Sequence, residues 1–156
     1  MTLLKHDLPA LLFIVLININ FVRCFDIIKT SVSPSNSVDI GSTVTLNCQS
    51  DEKWEYCDWW LGEVKDDKLC KFEWKRSVND VRKQRCTLSD RASYTGNYAS
   101  HECNLVLSNV KPSDSGNWNC RMEEHATILS GHSEKRTLKL QVASSTATGK
   151  KIFFNC

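Results

Sequence analysis

The sequence predicts an all-β protein in which antiparallel strands form a sandwich or barrel. Beyond residue 24 there is no convincing long helical pattern. The chain instead carries short runs of alternating apolar and polar side chains, separated by turn residues. Eight cysteines in 156 residues indicate an oxidising compartment or a metal site. The length allows one domain and no internal repeat is visible, so a single cysteine-rich sandwich is the simplest prediction.

The N-terminal segment, residues 1–24, has the pattern of a secretory signal peptide. A short polar region is followed by an apolar run over residues 8–17, which is too short to span a bilayer comfortably. Val22 and Cys24 place fairly small side chains at the −3 and −1 positions of a cleavage site before Phe25. The run length favours a signal peptide over a membrane anchor or a buried helix. We therefore expect a secreted or extracellular protein that has no membrane insertion after signal removal.

Four runs alternate clearly enough to predict strands with one buried face. They cover residues 41–48, 57–61, 103–107 and 137–142. The side chains expected to face inward include Val44, Leu46, Cys48, Cys57, Trp59, Leu61, Leu138, Leu140 and Val142. From Ser144 onward the residues are small and polar. We expect a domain over residues 25–143 and a flexible C-terminal tail over residues 144–156.

One of these runs and a further segment, residues 114–120, resemble strands of the immunoglobulin superfamily. Residues 114–120, Asp-Ser-Gly-Asn-Trp-Asn-Cys, look like the D-x-G-x-Y-x-C motif of strand F, and residues 41–48 are similar to strand B. Trp59 follows Cys48 by eleven residues, where that family buries its strand C tryptophan. The resemblance implies an immunoglobulin-like antiparallel β-sandwich with Greek-key connections. The separation of 72 residues between Cys48 and Cys120 favours a variable-like domain, V-set or I-set.

The resemblance also implies an ion pair at the bottom of the barrel. Residues 85–89 resemble the start of strand D, so Arg85 would pair with Asp114 of the strand F motif. Trp118 replaces the usual tyrosine of that motif. Its ring can fill the same space, but an indole cannot accept a hydrogen bond, which calls the usual corner contact into question.

The cysteines are expected to form structural disulfide bonds. The resemblance implies that Cys48 and Cys120 form the disulfide between the two sheets, worth about 4 kcal/mol in the chain-entropy estimate. The other four central cysteines are assigned by their distances from predicted hairpin turns, although six cysteines permit fifteen connectivities. The assigned pairs are Cys57–Cys70 and Cys86–Cys103. Cys156 is left over, and it either links two chains into a dimer or belongs to a truncated chain.

Catalytic and metal-binding patterns are not found in the sequence. Zinc motifs usually place two ligands two to four residues apart, and no two cysteines here are so spaced. The four histidines are isolated, and no phosphate loop, nucleophile elbow or zinc-protease motif occurs. We therefore expect no enzymatic activity and no cofactor or metal. The net charge of +2, with charged residues spread along the chain, does not indicate a nucleic-acid partner.

The predicted function is therefore recognition of an extracellular protein in adhesion, receptor-like or immune binding. The alternative is a soluble effector, such as a disulfide-rich inhibitor or toxin-like protein. A transmembrane segment or second domain in a longer transcript would favour a receptor.

Four side chains form the candidate binding surface: Trp60, Trp74, Ile128 and Leu129. Trp60 should point away from the core because Trp59 points into it, and exposed aromatic side chains are strong interface anchors. Trp74 and its neighbour Phe72 fit an interface or a local core equally well. Ile128 and Leu129 lie in the loop between strands F and G, where they either contact a partner or fold back on the sheet.

Overall fold

Residues 25–63, 69–88, 90–124 and 131–143 are described by the computed structural model. Ten strands form two sheets in this part of the chain. Their bounds are β1 (Ile27–Ser33), β2 (Ser37–Asp39), β3 (Val44–Ser50), β4 (Trp54–Leu61), β5 (Leu69–Lys75), β6 (Asp80–Cys86), β7 (Ala92–Tyr94), β8 (Leu105–Leu107), β9 (Gly116–Glu124) and β10 (Ser133–Ala143). Short 3₁₀ turns cover Tyr98–Ser100 and Pro112–Asp114.

The smaller sheet has the strand order β1-β3-β8-β7, and the larger sheet has the order β2-β10-β9-β4-β5-β6. All neighbouring strands pair antiparallel except β2 and β10, which are parallel. The all-β sandwich predicted from the sequence is confirmed. The expected signal peptide (residues 1–24), the expected tail (residues 144–156) and Cys156 lie outside the described residues. Within the described ranges, no helix is long and apolar enough to cross a bilayer.

The core lies between the sheets and consists of the inward side chains of alternating strands. Every second residue of β3, beginning at Val44, is buried, as the period of a half-buried strand requires. Trp59 on β4 is fully buried, and its Nε1–H donates to the carbonyl oxygen of Cys103 at 3.1 Å. Cys48 on β3 and Cys120 on β9 form a disulfide across the sheets, and Trp59 is the cross-strand neighbour of Cys120.

A second disulfide also joins the two sheets. It links Cys57 on β4 to Cys103, which lies just before β8, so the predicted pairing of Cys57 with Cys70 is wrong. The β4–β5 register places Cys57 opposite Phe72 and Trp59 opposite Cys70. The observed partner of Cys57 is therefore two residues further along the chain than the hairpin estimate assumed. Cys57 faces the core, from which its sulfur reaches the opposite sheet.

The third disulfide joins neighbouring strands of the larger sheet. Cys70 on β5 and Cys86 on β6 are direct partners, so the predicted Cys86–Cys103 pair is also wrong. The predicted pair requires residues 85–89 to begin a strand D that is joined by a hairpin to the strand after Cys103. Residues 80–86 instead add an edge strand to the larger sheet, which places Cys86 and Cys103 in different sheets.

The predicted ion pair between Arg85 and Asp114 is wrong for the same reason. Arg85 is exposed on β6, and Asp114 pairs instead with Arg91, which immediately precedes β7. The guanidinium of Arg91 donates to both carboxylate oxygens, at 2.8 and 3.2 Å. Asp114 is fully buried, and its Oδ2 also accepts from the backbone N–H of Lys111 at 2.8 Å. The hydrogen bond to Asp114 is the main cause that raises the pKa of Arg91.

Trp118 preserves a corner contact in spite of replacing a tyrosine. It is fully buried on β9, and its Nε1–H donates to the carbonyl oxygen of Asp114 at 2.9 Å. The inability of an indole to accept a hydrogen bond does not matter here. The contact needs a donor, which the indole supplies.

Peptide mapping under non-reducing conditions should find Cys48–Cys120, Cys57–Cys103 and Cys70–Cys86. Because disulfides restrict the unfolded chain, replacing both Cys57 and Cys103 by alanine should lower the free energy of unfolding by about 4 kcal/mol. Replacing Cys70 and Cys86 by alanine should lower the free energy of unfolding by about 3 kcal/mol, because this disulfide closes a shorter loop of the chain. Denaturant unfolding measures both losses. A peptide that joins Cys57 to Cys70 would contradict the assignment.

Arg91→Ala should lower the free energy of unfolding by about 3 to 5 kcal/mol, because it leaves the buried carboxylate of Asp114 without its guanidinium partner. Arg85→Ala is the matched control. It removes the same side chain from an exposed strand and should change the free energy of unfolding by less than about 0.5 kcal/mol. Urea titration followed by tryptophan fluorescence compares the two variants. Similar losses in both would reject the assignment of Arg91 as the structural arginine.

Candidate functional site

One end of the sandwich carries a concave site between three chain connections. The β3–β4 turn, the β5–β6 turn and the β7–β8 connection meet there, because β3, β5 and β7 end and β4, β6 and β8 begin at this end. The cavity measures about 420 Å³. We call it the loop-end cleft, and its lining residues are Lys53, Trp54, Glu55, Glu73, Trp74, Lys75, Arg76, Asn79 and Tyr98.

Three aromatic side chains form one wall of the loop-end cleft. Trp74 and Tyr98 stack with ring centroids 3.6 Å apart and an angle of 7° between their planes. Trp54 is buried and meets the edge of Tyr98 at 5.2 Å. The hydroxyl of Tyr98 donates to the backbone carbonyl oxygen of Trp54 at 2.9 Å. Trp74 and Tyr98 remain half-buried, so a rigid aromatic surface faces the cleft.

The backbone around Tyr98 holds this ring in place. The side chain of Asn97 accepts from the backbone N–H of Ala99 at 3.0 Å and caps the short 3₁₀ turn. Gly96 approaches the chain so closely that a Cβ there would lie 2.6 Å from the carbonyl oxygen of Glu102. The turn and the glycine together fix the position of Tyr98 against β4 and β5.

Charged groups of both signs surround the aromatic wall. Glu73 is largely buried, and its carboxylate accepts from the ammonium of Lys75 and the amide of Gln84. Lys53 and Arg76 are exposed at the rim. Burial is the main cause that raises the pKa of Tyr98, which further disfavours loss of the proton that its hydroxyl donates to the Trp54 carbonyl oxygen.

One of the four predicted binding residues lies in this cleft. Trp74 lines it, while its neighbour Phe72 is fully buried in the core. Ile128 and Leu129 lie outside the described residues. The prediction that Trp60 is an exposed anchor is wrong, because only 6% of its surface is accessible.

Strand alternation does place Trp60 away from the core, but side chains on the outer face of the larger sheet cover it. Trp60 pairs with Leu69 and Asn119, whereas Trp59 pairs with Cys70 and Cys120. The ammonium of Lys135 lies 6.0 Å from the Trp60 ring centroid. Strand alternation predicts which face of the sheet a side chain lies on. It does not predict whether neighbouring side chains on that face cover it from solvent.

Trp54 and Tyr98 were missed by the sequence argument. The register of β4 shifts between Trp54 and Tyr56, so Trp54 is buried out of phase with Cys57 and Trp59. Tyr98 lies in a turn-rich segment, where an isolated aromatic carries no periodic signal. The Gly96-Asn97 dipeptide before it marks a turn, but it does not show what the turn packs against.

The outer face of the larger sheet carries a charged network beside the cleft. Asp58 is buried and pairs with Arg121 at 2.9 Å, and Arg121 also reaches Glu123 at 2.5 Å. Lys71 lies over the ring of Tyr56, with its ammonium 4.4 Å from the centroid. In the described part of the chain, no three His, Cys, Asp or Glu residues are grouped as metal ligands would be.

Comparisons with known proteins agree with this strand arrangement. A family model for the immunoglobulin V-set domain matches residues 31–143. A solved structure of murine CRIg superposes with a TM-score of 0.56 at 12% sequence identity, covering 78% of this chain and 100% of that chain. This likeness concerns the fold. No curated protein matches the chain. The family match spans more than half of the sequence, and the chain belongs to the immunoglobulin V-set family.

Proposed function

We propose that the protein is an extracellular, non-catalytic recognition module that binds a protein partner through the loop-end cleft. V-set domains generally bind protein partners and are usually extracellular or at the cell surface. The signal-peptide pattern of residues 1–24 and the three disulfides support passage through an oxidising compartment.

The stack of Trp74 on Tyr98 at the loop end is the observation that carries this proposal. Large, rigid aromatic side chains dominate the binding energy of many protein interfaces. Because this stack is already ordered in the free domain, a partner would not have to immobilise it on binding. The exposed cations Lys53 and Arg76 would form a polar rim around the aromatic centre.

The position of the cleft also suits recognition. Its residues come from three connections on a scaffold that two inter-sheet disulfides hold together. Binding residues are often placed on loops that a rigid sandwich positions. The mixture of acidic and basic groups favours a protein surface with charges of both signs over a purely apolar ligand.

Secretion of the full chain from animal cells should remove residues 1–24. N-terminal sequencing of the protein in the medium should then begin at Phe25, because Val22 and Cys24 occupy the −3 and −1 positions. Protein that stays inside the cells with Met1 intact would contradict the proposed extracellular role.

A screen of the secreted protein against a library of extracellular proteins should identify the partner. Trp74→Ala and the double variant Lys53→Ala/Arg76→Ala should each weaken that binding at least about tenfold, because they remove an aromatic anchor and its charged rim. The double variant tests the site without touching the core, since both side chains are exposed.

Lys29→Ala/Lys139→Ala is the matched control for the charge change. Lys29 is exposed on the outer face of the smaller sheet, and Lys139 is exposed on β10 beside Asn117, at the opposite end of β9 from Glu124. This control should keep the affinity of the original chain in surface plasmon resonance. Full affinity in both cleft variants, with unchanged thermal unfolding, would place the binding site elsewhere.

A further inference from the structure

Strand β6 forms the outer edge of the larger sheet beyond β5. Most of its side chains are exposed, and only Val81 and Cys86 are partly covered. Seven residues of strand measure about 23 Å at 3.3 Å per residue. The edge is thus an accessible ridge that has no fully buried apolar side chain of its own.

Positive charge is concentrated on this ridge and on its partner strand. The segment from β5 to the end of β6 contains the cations Lys71, Lys75, Arg76, Arg82, Lys83 and Arg85, and the carboxylates Glu73 and Asp80. Six positive and two negative groups give this segment a net charge of +4, whereas the whole chain has +2. The remainder of the chain is therefore net negative by two. Lys75 and Arg76 line the loop-end cleft, whereas Arg82, Lys83 and Arg85 lie on β6 itself, which makes this edge strand cationic.

Two of these cations face each other directly. Lys71 and Arg85 are Cα partners in the β5–β6 pair. Like charges at directly opposed positions destabilise a sheet. Lys71 contacts the ring of Tyr56, and among the described residues neither cation forms an ion pair with a carboxylate. Because the Lys71 ammonium leans toward β4, the exposed guanidinium of Arg85 is the group at this position that is available to an oxyanion.

The neighbouring positions extend this anion-binding geometry along the strand. Arg82 lies opposite Glu73, whose carboxylate already accepts from Lys75 and Gln84. Arg82 and Arg85 are both exposed, and the planar guanidinium fork binds oxyanions through two parallel hydrogen bonds.

We propose that the β6 edge binds a sulfated polysaccharide, at a surface distinct from the loop-end cleft. A protein partner would normally require an apolar centre in its interface, and the exposed residues of β6 offer only charged and amide groups. A linear polyanion matches a linear row of cations and needs no such centre. The proposal adds a second ligand to the proposed extracellular module, and the binding test does not depend on the identity of the protein partner.

Surface plasmon resonance on immobilised heparin tests this proposal with the secreted chain. The logarithm of the association constant should fall linearly with the logarithm of the salt concentration, as counterion release requires. Arg82→Gln/Arg85→Gln should weaken heparin binding about thirtyfold and reduce the salt slope by about two. Both side chains are exposed, so circular dichroism melts should remain unchanged.

Lys29→Gln/Lys139→Gln lowers the net charge equally and serves as the control. It should bind heparin almost as well as the original chain, because these lysines lie away from β6. Equal losses in the two double variants would show general charge attraction and overturn the assignment. No measurable heparin binding would also overturn it. Equal affinity for desulfated heparin or for polyglutamate would overturn it in favour of an unspecific or acidic-protein ligand.

Discussion

The buried disulfide between Cys48 and Cys120, with Trp59 packed beside it, is the constraint on which the other features depend. It fixes the separation of the two sheets at the centre of the core. The second bridge, from Cys57 to Cys103, fixes the same two sheets nearer to the loop end, and the Trp59 indole donates to the Cys103 carbonyl oxygen. The two bridges and the hydrogen bond therefore lie around the same buried side chain, the indole of Trp59.

The loop-end cleft is a consequence of this clamp. The Cys57–Cys103 bridge ties β4 to the chain that enters β8, and Tyr98 lies in the connection just before that point. This link holds the backbone near Tyr98 in place. Tyr98 stacks on Trp74 and donates to the Trp54 carbonyl oxygen. At the other end of the sandwich, Arg91 and Asp114 close the structure through a buried, bidentate ion pair. The bridges hold the centre and the ion pair holds one end of the sandwich, and the loop-end cleft lies at the opposite end.

The position of strand β6 explains why the predicted Arg85–Asp114 ion pair and the predicted Cys86–Cys103 disulfide are both wrong. A reading that places residues 85–89 at the start of strand D makes Arg85 the structural arginine and brings Cys86 near Cys103. The structure instead assigns residues 80–86 to the larger sheet, which leaves Arg85 exposed and gives Arg91 the structural role. The same extra strand supplies the cationic edge. Local sequence could not decide this, because both segments contain an arginine and a short stretch suited to a β-strand.

The sequence by itself determined the class of fold and the burial of Trp59, because strand alternation is a local pattern, and its resemblance to the immunoglobulin superfamily implied the inter-sheet bridge of Cys48 with Cys120. Tertiary structure alone decided the partners of the other cysteines, the burial of Trp60 and the joining of Trp54, Trp74 and Tyr98 into one wall. These features depend on strand register, on a shift within β4 and on which sheet receives an edge strand. Each is set by contacts between residues far apart in the chain, which periodicity within a short run of sequence does not encode.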